Sequence, residues 1–156
     1  MTKLERFQSE LVDKPGLVYL SDLEKSAEST SGHGPPPGVF TYPVVVNSVF
    51  SPHGVFQHGR SPWGSMSYRL DGKYERFWSK IAVNDSVAEK YCQPVYFYVY
   101  GDGKELWHSP KMSETGVIHV CDISVQGVHE LKLLLSCTGS LRGTHGVWIE
   151  TSVSEK

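Results

Sequence analysis

The side chains best suited to chemistry are concentrated in residues 52–70, PHGVFQHGRSPWGSMSYRL. His58, Arg60 and Trp63 stand there among glycines and prolines, just ahead of a strand pattern. Tryptophan offers a flat apolar face, whereas histidine and arginine offer hydrogen-bond donors. Neutral sugars need both, because they carry apolar C–H faces beside directional hydroxyls. The mixture favours sugar binding, with Trp63 as the stacking face.

A second mixture of the same kind lies near the C-terminus, in the run RGTHGVW. Arg142 and His145 flank glycines and are candidates for binding hydroxyls. Trp148 alternates with Val147 and Ile149, which favours a strand and a core position for its ring.

Catalysis is harder to build from these residues. The chain has no Gly-x-Ser-x-Gly, no phosphate-binding glycine loop and no His-Glu-x-x-His. His53 and His58 have no carboxylate cluster beside them, so we predict no metal site there. Acids such as Asp85, Glu89 and Glu150 exist, but no spacing selects a catalytic pair. We therefore expect neither catalysis nor a cofactor.

The length, net charge and hydropathy of the chain limit the kinds of partner that it can have. A chain of 156 residues suffices for one domain with a real core. A net charge of −2 gives no field that favours nucleic acid or an anionic membrane. No apolar run could cross a bilayer, and MTKLERFQSEL lacks the apolar centre of a signal peptide. The expected location is the cytoplasm, or outside the cell as a segment of a secreted protein.

The cysteines do not suggest a disulfide framework. Cys92, Cys121 and Cys137 are odd in number, far apart and without a Cys-x-x-Cys pair. Buried thiols are therefore expected and a zinc ribbon is excluded, although one bridge plus one free thiol stays open.

Residues 1–16 are predicted to form a helical extension of the domain. Thr2 and Glu5 fit a capping box, and Pro15 followed by Gly16 would end the helix. So short an apolar face is unstable alone, so the helix must dock on the domain or associate copies into a homo-oligomer. The apolar residues at helical spacing are Leu4, Phe7, Leu11 and Val12.

Residues 17–156 read as an all-β domain. The stretch 26–38, SAESTSGHGPPPG, is predicted to be a loop, and a period of two begins at Pro43. Turn dipeptides at Asn47-Ser48 and Asp71-Gly72 separate short strands. About eight to ten strands of this kind indicate a β-sandwich. Alternation places Trp78 on the face of Arg76 and Lys80, where it is either exposed or packed under the N-terminal helix. It places the tyrosines 96, 98 and 100 together on one face, which we interpret as sheet packing.

Several segments occur in an order that resembles a known family. The chain is similar, from about Val18 to about Val153, to NPCBM-type carbohydrate-binding modules, the class that includes galactose- and blood-group-binding modules of bacterial glycoside hydrolases. The resemblance implies a β-sandwich of jelly-roll type, here as a non-catalytic lectin. The segments that carry it are VYLSDLE, VVVNSVFSPHGVFQH, YRLDGKYERFWSKIAVNDSV, VYFYVYGDGKELWHSPKM and DISVQGVHELKLLL.

Two departures from the family pattern bear on the site. GRSPWG lengthens the loop after His58, so Arg60 and Trp63 are interpreted as local specialisation. Some members carry an acidic run near the C-terminus that is associated with calcium. In CTGSLRGTHGVW, Thr144 and Val147 stand where those carboxylates would be. Since calcium prefers charged oxygen ligands, we expect none here.

The predicted partner is therefore a glycan with terminal galactose or N-acetylgalactosamine, held in a shallow site on loops at one end of the sandwich. The alternative is a protein-interaction or structural domain that keeps the fold without the sugar. Asp85 is expected to orient its loop, and Trp107 is open between core and surface. The candidate carbohydrate-binding residues are His58, Arg60, Trp63, Asp85, Trp107, Arg142 and His145.

Overall fold

The computed structural model describes residues 5–33, 42–58, 61–87, 94–137 and 144–156. Within these ranges the chain is all-β apart from a short 3-10 turn at Leu20–Asp22. None of the described segments is a helix long and apolar enough to cross a membrane. The strands are β1 Val18–Tyr19, β2 Lys25–His33, β3 Val45–Val46, β4 Val49–Phe50, β5 Val55–His58, β6 Ser61–Arg69, β7 Arg76–Val83, β8 Val95–Gly101, β9 Lys104–His108, β10 His119–Ser124, β11 Glu130–Cys137 and β12 His145–Ser154.

Two antiparallel sheets carry the fold. The first has the order β1-β12-β7-β10, with β5 also pairing with β12, and the second has the order β2-β6-β11-β8-β9. Strands β3 and β4 form a separate ribbon. The main core lies between the sheets, with Ile81 and Trp148 from the first and Phe97 and Leu133 from the second. The predicted β-sandwich is confirmed, whereas its jelly-roll connectivity stays a prediction.

Strand β8 shows the alternation of buried and outward-facing side chains that its sequence predicts. Val95, Phe97 and Val99 are buried in the core, and the three tyrosines between and after them are half-buried on the outward face. The turn dipeptides also behave as predicted. Asn47 and Ser48 have φ values of 53° and 64°, the two positive values of a tight two-residue hairpin.

The predicted N-terminal helix is wrong for the described residues 5–16; Thr2 and Leu4 lie outside them. The Phe7 N–H donates to Phe50 O (2.9 Å), and the Phe50 N–H donates to Glu5 O (3.2 Å), so the segment runs extended beside β4. Turns follow, with the Leu11 N–H donating to Ser9 Oγ. Tertiary hydrogen bonds therefore replace the helical ones, and a helix this short could not compete.

This N-terminal segment covers the outward face of the first sheet. Ser9 Oγ is hydrogen-bonded to Ser152 Oγ, and Ser152 is the register partner of Trp78. Lys80 Nζ lies 5.5 Å from the centroid of the Phe7 ring. Trp78 lies on the same face and is 1% exposed, so of the two alternatives the packed position is the one that the structure has. Residues 5–16 dock on their own domain and form no helix, so the expected association of copies through an N-terminal helix is not supported.

The stretch predicted as a loop at 26–38 begins as a strand. β2 pairs with β6 from Lys25 opposite Tyr68 to His33 opposite Ser61. Residues 25–30 are all exposed on this edge strand, so they show no apolar alternation that could have revealed it. The same pairing starts β6 at Ser61, which places Trp63 in a strand rather than in a loop.

Candidate functional site

The structure brings two of the predicted residues, His58 and His145, side by side. They are register partners across β5 and β12, and their ring centroids are 5.4 Å apart. Their chain neighbours face the core: Gln57 is fully buried, and a Cβ added at Gly146 would lie 2.8 Å from Leu135 Cδ2. Because side chains alternate along a strand, both histidines face outward from the first sheet.

Two aromatic rings complete this arrangement, which we call the histidine–aromatic cluster: Tyr42, Phe56, His58 and His145. The Tyr42 ring stacks on His145 with centroids 5.0 Å apart and an interplanar angle of 26°. Phe56 meets the same imidazole edge-on at 5.3 Å. Tyr42 is 49% exposed, so part of its ring is accessible to a ligand.

The His145 imidazole is held by a short polar chain. Its Nδ1 lies 2.8 Å from Ser86 Oγ, which also accepts a hydrogen bond from Asn84 Nδ2 (3.0 Å). The direction of the Ser86–His145 hydrogen bond depends on the tautomer of the imidazole, and Nε2 is the ring nitrogen outside this polar chain. Burial, and secondarily the neighbouring His58, lower the pKa of His145. The cluster therefore presents a neutral imidazole near pH 7.

Asp85 lies beside the cluster and is already engaged. Its Oδ1 and Oδ2 accept hydrogen bonds from the Asn47 and Ser48 N–H groups at 3.0 and 2.9 Å. Asn84 Oδ1 accepts from the Val45 N–H at 2.8 Å. The two side chains thus fix the β3–β4 ribbon against the end of β7. This geometry agrees with a loop-orienting role for Asp85.

A shallow cavity of about 370 Å³ adjoins the histidine–aromatic cluster and shares Tyr42 and Phe56 with it. Its size is within the range of small-molecule sites. The other lining residues are Pro43, Val44, Phe50, Ser51, Pro52 and Gly54.

The two predicted tryptophans, Trp63 and Trp107, do not lie at the histidine–aromatic cluster. Trp63 pairs with Ser136 and faces outward from the second sheet, on the opposite side of the sandwich from His58. Trp107 is half-buried and packs against the main core beside Val99. A single site holding both Trp63 and the histidines is therefore wrong. Arg60 and Arg142 lie outside the described residues.

Sequence reasoning missed Tyr42 and Ser86. Tyr42 follows a proline-rich stretch with no strand pattern, and Ser86 ends a turn, so neither position has a periodicity that assigns it a face. The alternation of Phe56 and His58 on β5 was the one available signal.

The residues at the position of the family's acidic run do not fit a calcium ion. Thr144 is fully buried, and Val147 packs in an apolar cluster with Ala82 and Ile149. Calcium needs several oxygen ligands, preferably charged ones. No group of three or more His, Cys, Asp or Glu side chains that could hold a metal occurs among the described residues.

The two described cysteines lie in the hydrophobic core. Cys121 and Cys137 are both buried in the main core. Burial raises the pKa of the Cys121 thiol, with a further contribution from Asp122, and burial also raises that of Cys137. Cys92 lies outside the described residues.

The fold and this surface define a class: a small antiparallel β-sandwich that presents aromatic and hydrogen-bonding side chains on an outward face. A family model, the NPCBM/NEW2 domain, matches residues 16–154, so the chain belongs to the NPCBM/NEW2 domain family. No curated protein matches the sequence significantly.

Solved structures that match this fold include CBM51 carbohydrate-binding modules. The CBM51-2 and INT domains of Clostridium perfringens ZmpB, in complex with GlcNAc, are 20% identical with a TM-score of 0.74, covering 90% of this chain and 32% of that one. The CBM51 of Clostridium perfringens GH95, in complex with methyl-galactose, is 21% identical with a TM-score of 0.66. The match covers 88% of this chain and 99% of that one. The tandem CBM51 modules of Sp3GH98 from Streptococcus pneumoniae SP3-BS71 are 20% identical with a TM-score of 0.72. The match covers 90% of this chain and 47% of that one. The chain thus spans about a third of the first of these structures.

Proposed function

We propose that this protein is a non-catalytic carbohydrate-binding module, or lectin, that binds terminal galactose- or N-acetylgalactosamine-type sugars at the histidine–aromatic cluster. The observation that carries the proposal is the exposed ring of Tyr42 beside the outward-facing pair His58 and His145. Family membership supports it, as does the methyl-galactose complex of one structural neighbour.

Each side chain of the cluster has a distinct role in this proposal. The Tyr42 ring stacks on the apolar face of the sugar, as aromatic side chains do at such sites. His145 Nε2 forms a hydrogen bond with a sugar hydroxyl, and His58 supplies a second polar contact beside it. Arg60 and Arg142 follow or precede the histidines closely in sequence and are proposed to add further donors.

The test is calorimetric titration with methyl-galactoside, N-acetylgalactosamine and N-acetylglucosamine, with and without a chelator. We expect Tyr42→Ala and His145→Ala each to weaken galactoside binding about tenfold or more, as for aromatic and polar anchors of binding sites. His129→Ala is the matched control, because this exposed histidine lies on the turn after β10.

Two results would contradict the proposal. If Tyr42→Ala and His145→Ala, both shown to be folded by circular dichroism, bound galactoside with unchanged affinity, the sugar would not bind at the histidine–aromatic cluster. Loss of binding on chelation would show that a cation is required in spite of Thr144 and Val147.

A protein-interaction domain is the second candidate, and one observation favours it. The acidic run that some family members carry is replaced here by buried Thr144 and apolar Val147. If no glycan binds on an array of terminal galactose, N-acetylgalactosamine and N-acetylglucosamine structures, the exposed Tyr42 surface becomes the first place to seek a protein partner.

A further inference from the structure

The outward face of the second sheet carries aromatic side chains that the proposed sugar site does not use. The registers of β6, β11 and β8 arrange this face in rows that cross the sheet. The successive rows are Trp63, Ser136 and Tyr96; then Ser65, Leu134 and Tyr98; then Ser67, Lys132 and Tyr100.

These rows form a groove rather than a flat face. Ser65 and Ser67 face outward, yet they are 0% and 2% exposed, so larger neighbouring side chains must stand above them. Trp63 on one side and the tyrosines on the other are the large residues of these rows. The groove has a volume of about 440 Å³. We call it the aromatic groove; it is lined by Trp63, Tyr98, Tyr100, Gly103, Lys132, Leu134 and Ser136.

The rings and polar groups of the groove suit a sugar chain. The Tyr98 and Tyr100 rings are 6.2 Å apart and tilted by 31°, so they present two successive faces. Burial, and then the Glu105 charge, raise the pKa of Tyr100, whose phenol is therefore a hydrogen-bond donor at neutral pH. Lys132 forms no ion pair with the described residues, and its ammonium is free to donate as well.

The charge of the groove favours a neutral ligand. Lys132 and Glu105 both lie in the row of Tyr100, one on each neighbouring strand. Their opposite charges balance, so neither an acidic nor a basic chain gains a net attraction. The tyrosine hydroxyls of the groove suit the hydroxyls of a neutral sugar, since each can donate and accept a hydrogen bond.

The length of the groove favours more than one sugar unit. Trp63 and Tyr100 are separated by two strand spacings and four residues along the strands. That separation is roughly 16 Å between their Cα atoms. A single pyranose ring cannot touch both ends of such a groove.

We propose that the aromatic groove binds several consecutive units of an extended neutral oligosaccharide, at a second site on the opposite side of the sandwich from the histidine–aromatic cluster. One copy of the protein then holds a chain interior on one face and a terminal sugar on the other. Such bivalency raises avidity without any oligomer.

The test compares binding of galactose with binding of cellotetraose, maltotetraose and xylotetraose, which carry no terminal galactose, by calorimetry. We expect at least one tetrasaccharide to bind more tightly than its own monosaccharide and disaccharide. Tyr98→Ala and Trp63→Ala should each weaken that binding about tenfold, because stacked aromatic rings dominate such contacts. Tyr98→Phe should keep most of it. Circular dichroism checks that each variant is folded.

Tyr42→Ala is the discriminating control. It should leave tetrasaccharide binding intact while weakening binding of the terminal sugar, so the two proposals fail separately. The groove proposal is overturned if tetrasaccharide affinity does not exceed that of the short sugars, or if Tyr98→Ala leaves it unchanged. It is equally overturned if the groove binds a proline-rich peptide and no glycan, since such peptides also dock on aromatic grooves.

Discussion

Gln57 joins the two sheets directly beneath the histidine–aromatic cluster, and its replacement by leucine tests the account of the fold there. Its Nε2 donates to Gly64 O (2.9 Å) and to Leu133 O (3.2 Å), both in the second sheet. Its Oε1 accepts from the Trp148 Nε1–H at 2.8 Å. Gln57 and the Trp148 ring are fully buried, so water cannot replace a lost partner.

The size of the effect follows from these three hydrogen bonds. Leaving the buried indole N–H of Trp148 without an acceptor costs about 1–3 kcal/mol. The two carbonyl bonds contribute about 1 kcal/mol each, and the added apolar burial of leucine offsets part of the total. We expect Gln57→Leu to lower the free energy of unfolding by about 3 kcal/mol.

Urea denaturation followed by circular dichroism measures this change, and a double-mutant cycle identifies its cause. Phenylalanine at position 148 has no N–H to orphan, so Gln57→Leu should cost about 1–2 kcal/mol less in the Trp148→Phe background. Gln126→Leu, at an exposed turn, serves as the control and should change stability by less than about 0.5 kcal/mol. Additive effects of the two core substitutions, or a loss below about 1 kcal/mol for Gln57→Leu, would refute the reasoning.

Two further predictions concern titration and the N-terminal segment. Burial and the neighbouring His58 lower the folded-state pKa of His145, so the unfolded chain takes up the proton first as the pH falls. The stability that this imidazole contributes is fully present above the unfolded pKa of about 6.5, and it is lost as the pH falls from there through the lower folded-state pKa. His145→Asn should therefore flatten the dependence of the urea midpoint on pH below neutrality, and an unchanged slope would contradict this. Leu11→Ala should cost about 3 kcal/mol because Leu11 is fully buried, whereas Val12→Ala, at a side chain 38% exposed, should cost far less. If Leu11→Ala and Val12→Ala both shifted the urea midpoint by a similar small amount, the N-terminal segment would not be docked on the domain.

The sequence predicted those elements in which local chemistry decides the conformation. β8 alternates cleanly, and the Asn47-Ser48 dipeptide tolerates the positive φ values that its turn requires. β2 could not be seen because every residue from 25 to 30 is exposed at a sheet edge. The N-terminal helix was predicted wrongly because Phe7 lies in an extended stretch beside β4 and Leu11 lies in the turns that follow. Helical spacing alone does not distinguish this arrangement from a helix.

The misassignment of Trp63 has a topological reason with consequences for function. His58 and Trp63 are five positions apart, and such closeness suggests a common site. In this sandwich, however, β5 belongs to the first sheet and β6 to the second, so the chain crosses between sheets after His58. Side chains that face outward from the two sheets point away from each other across the core. An outward histidine and an outward tryptophan on these consecutive strands therefore serve opposite faces. Hence a variant at Trp63 and a variant at His145 should affect different ligands, and one ligand lost equally in both would argue against two separate surfaces.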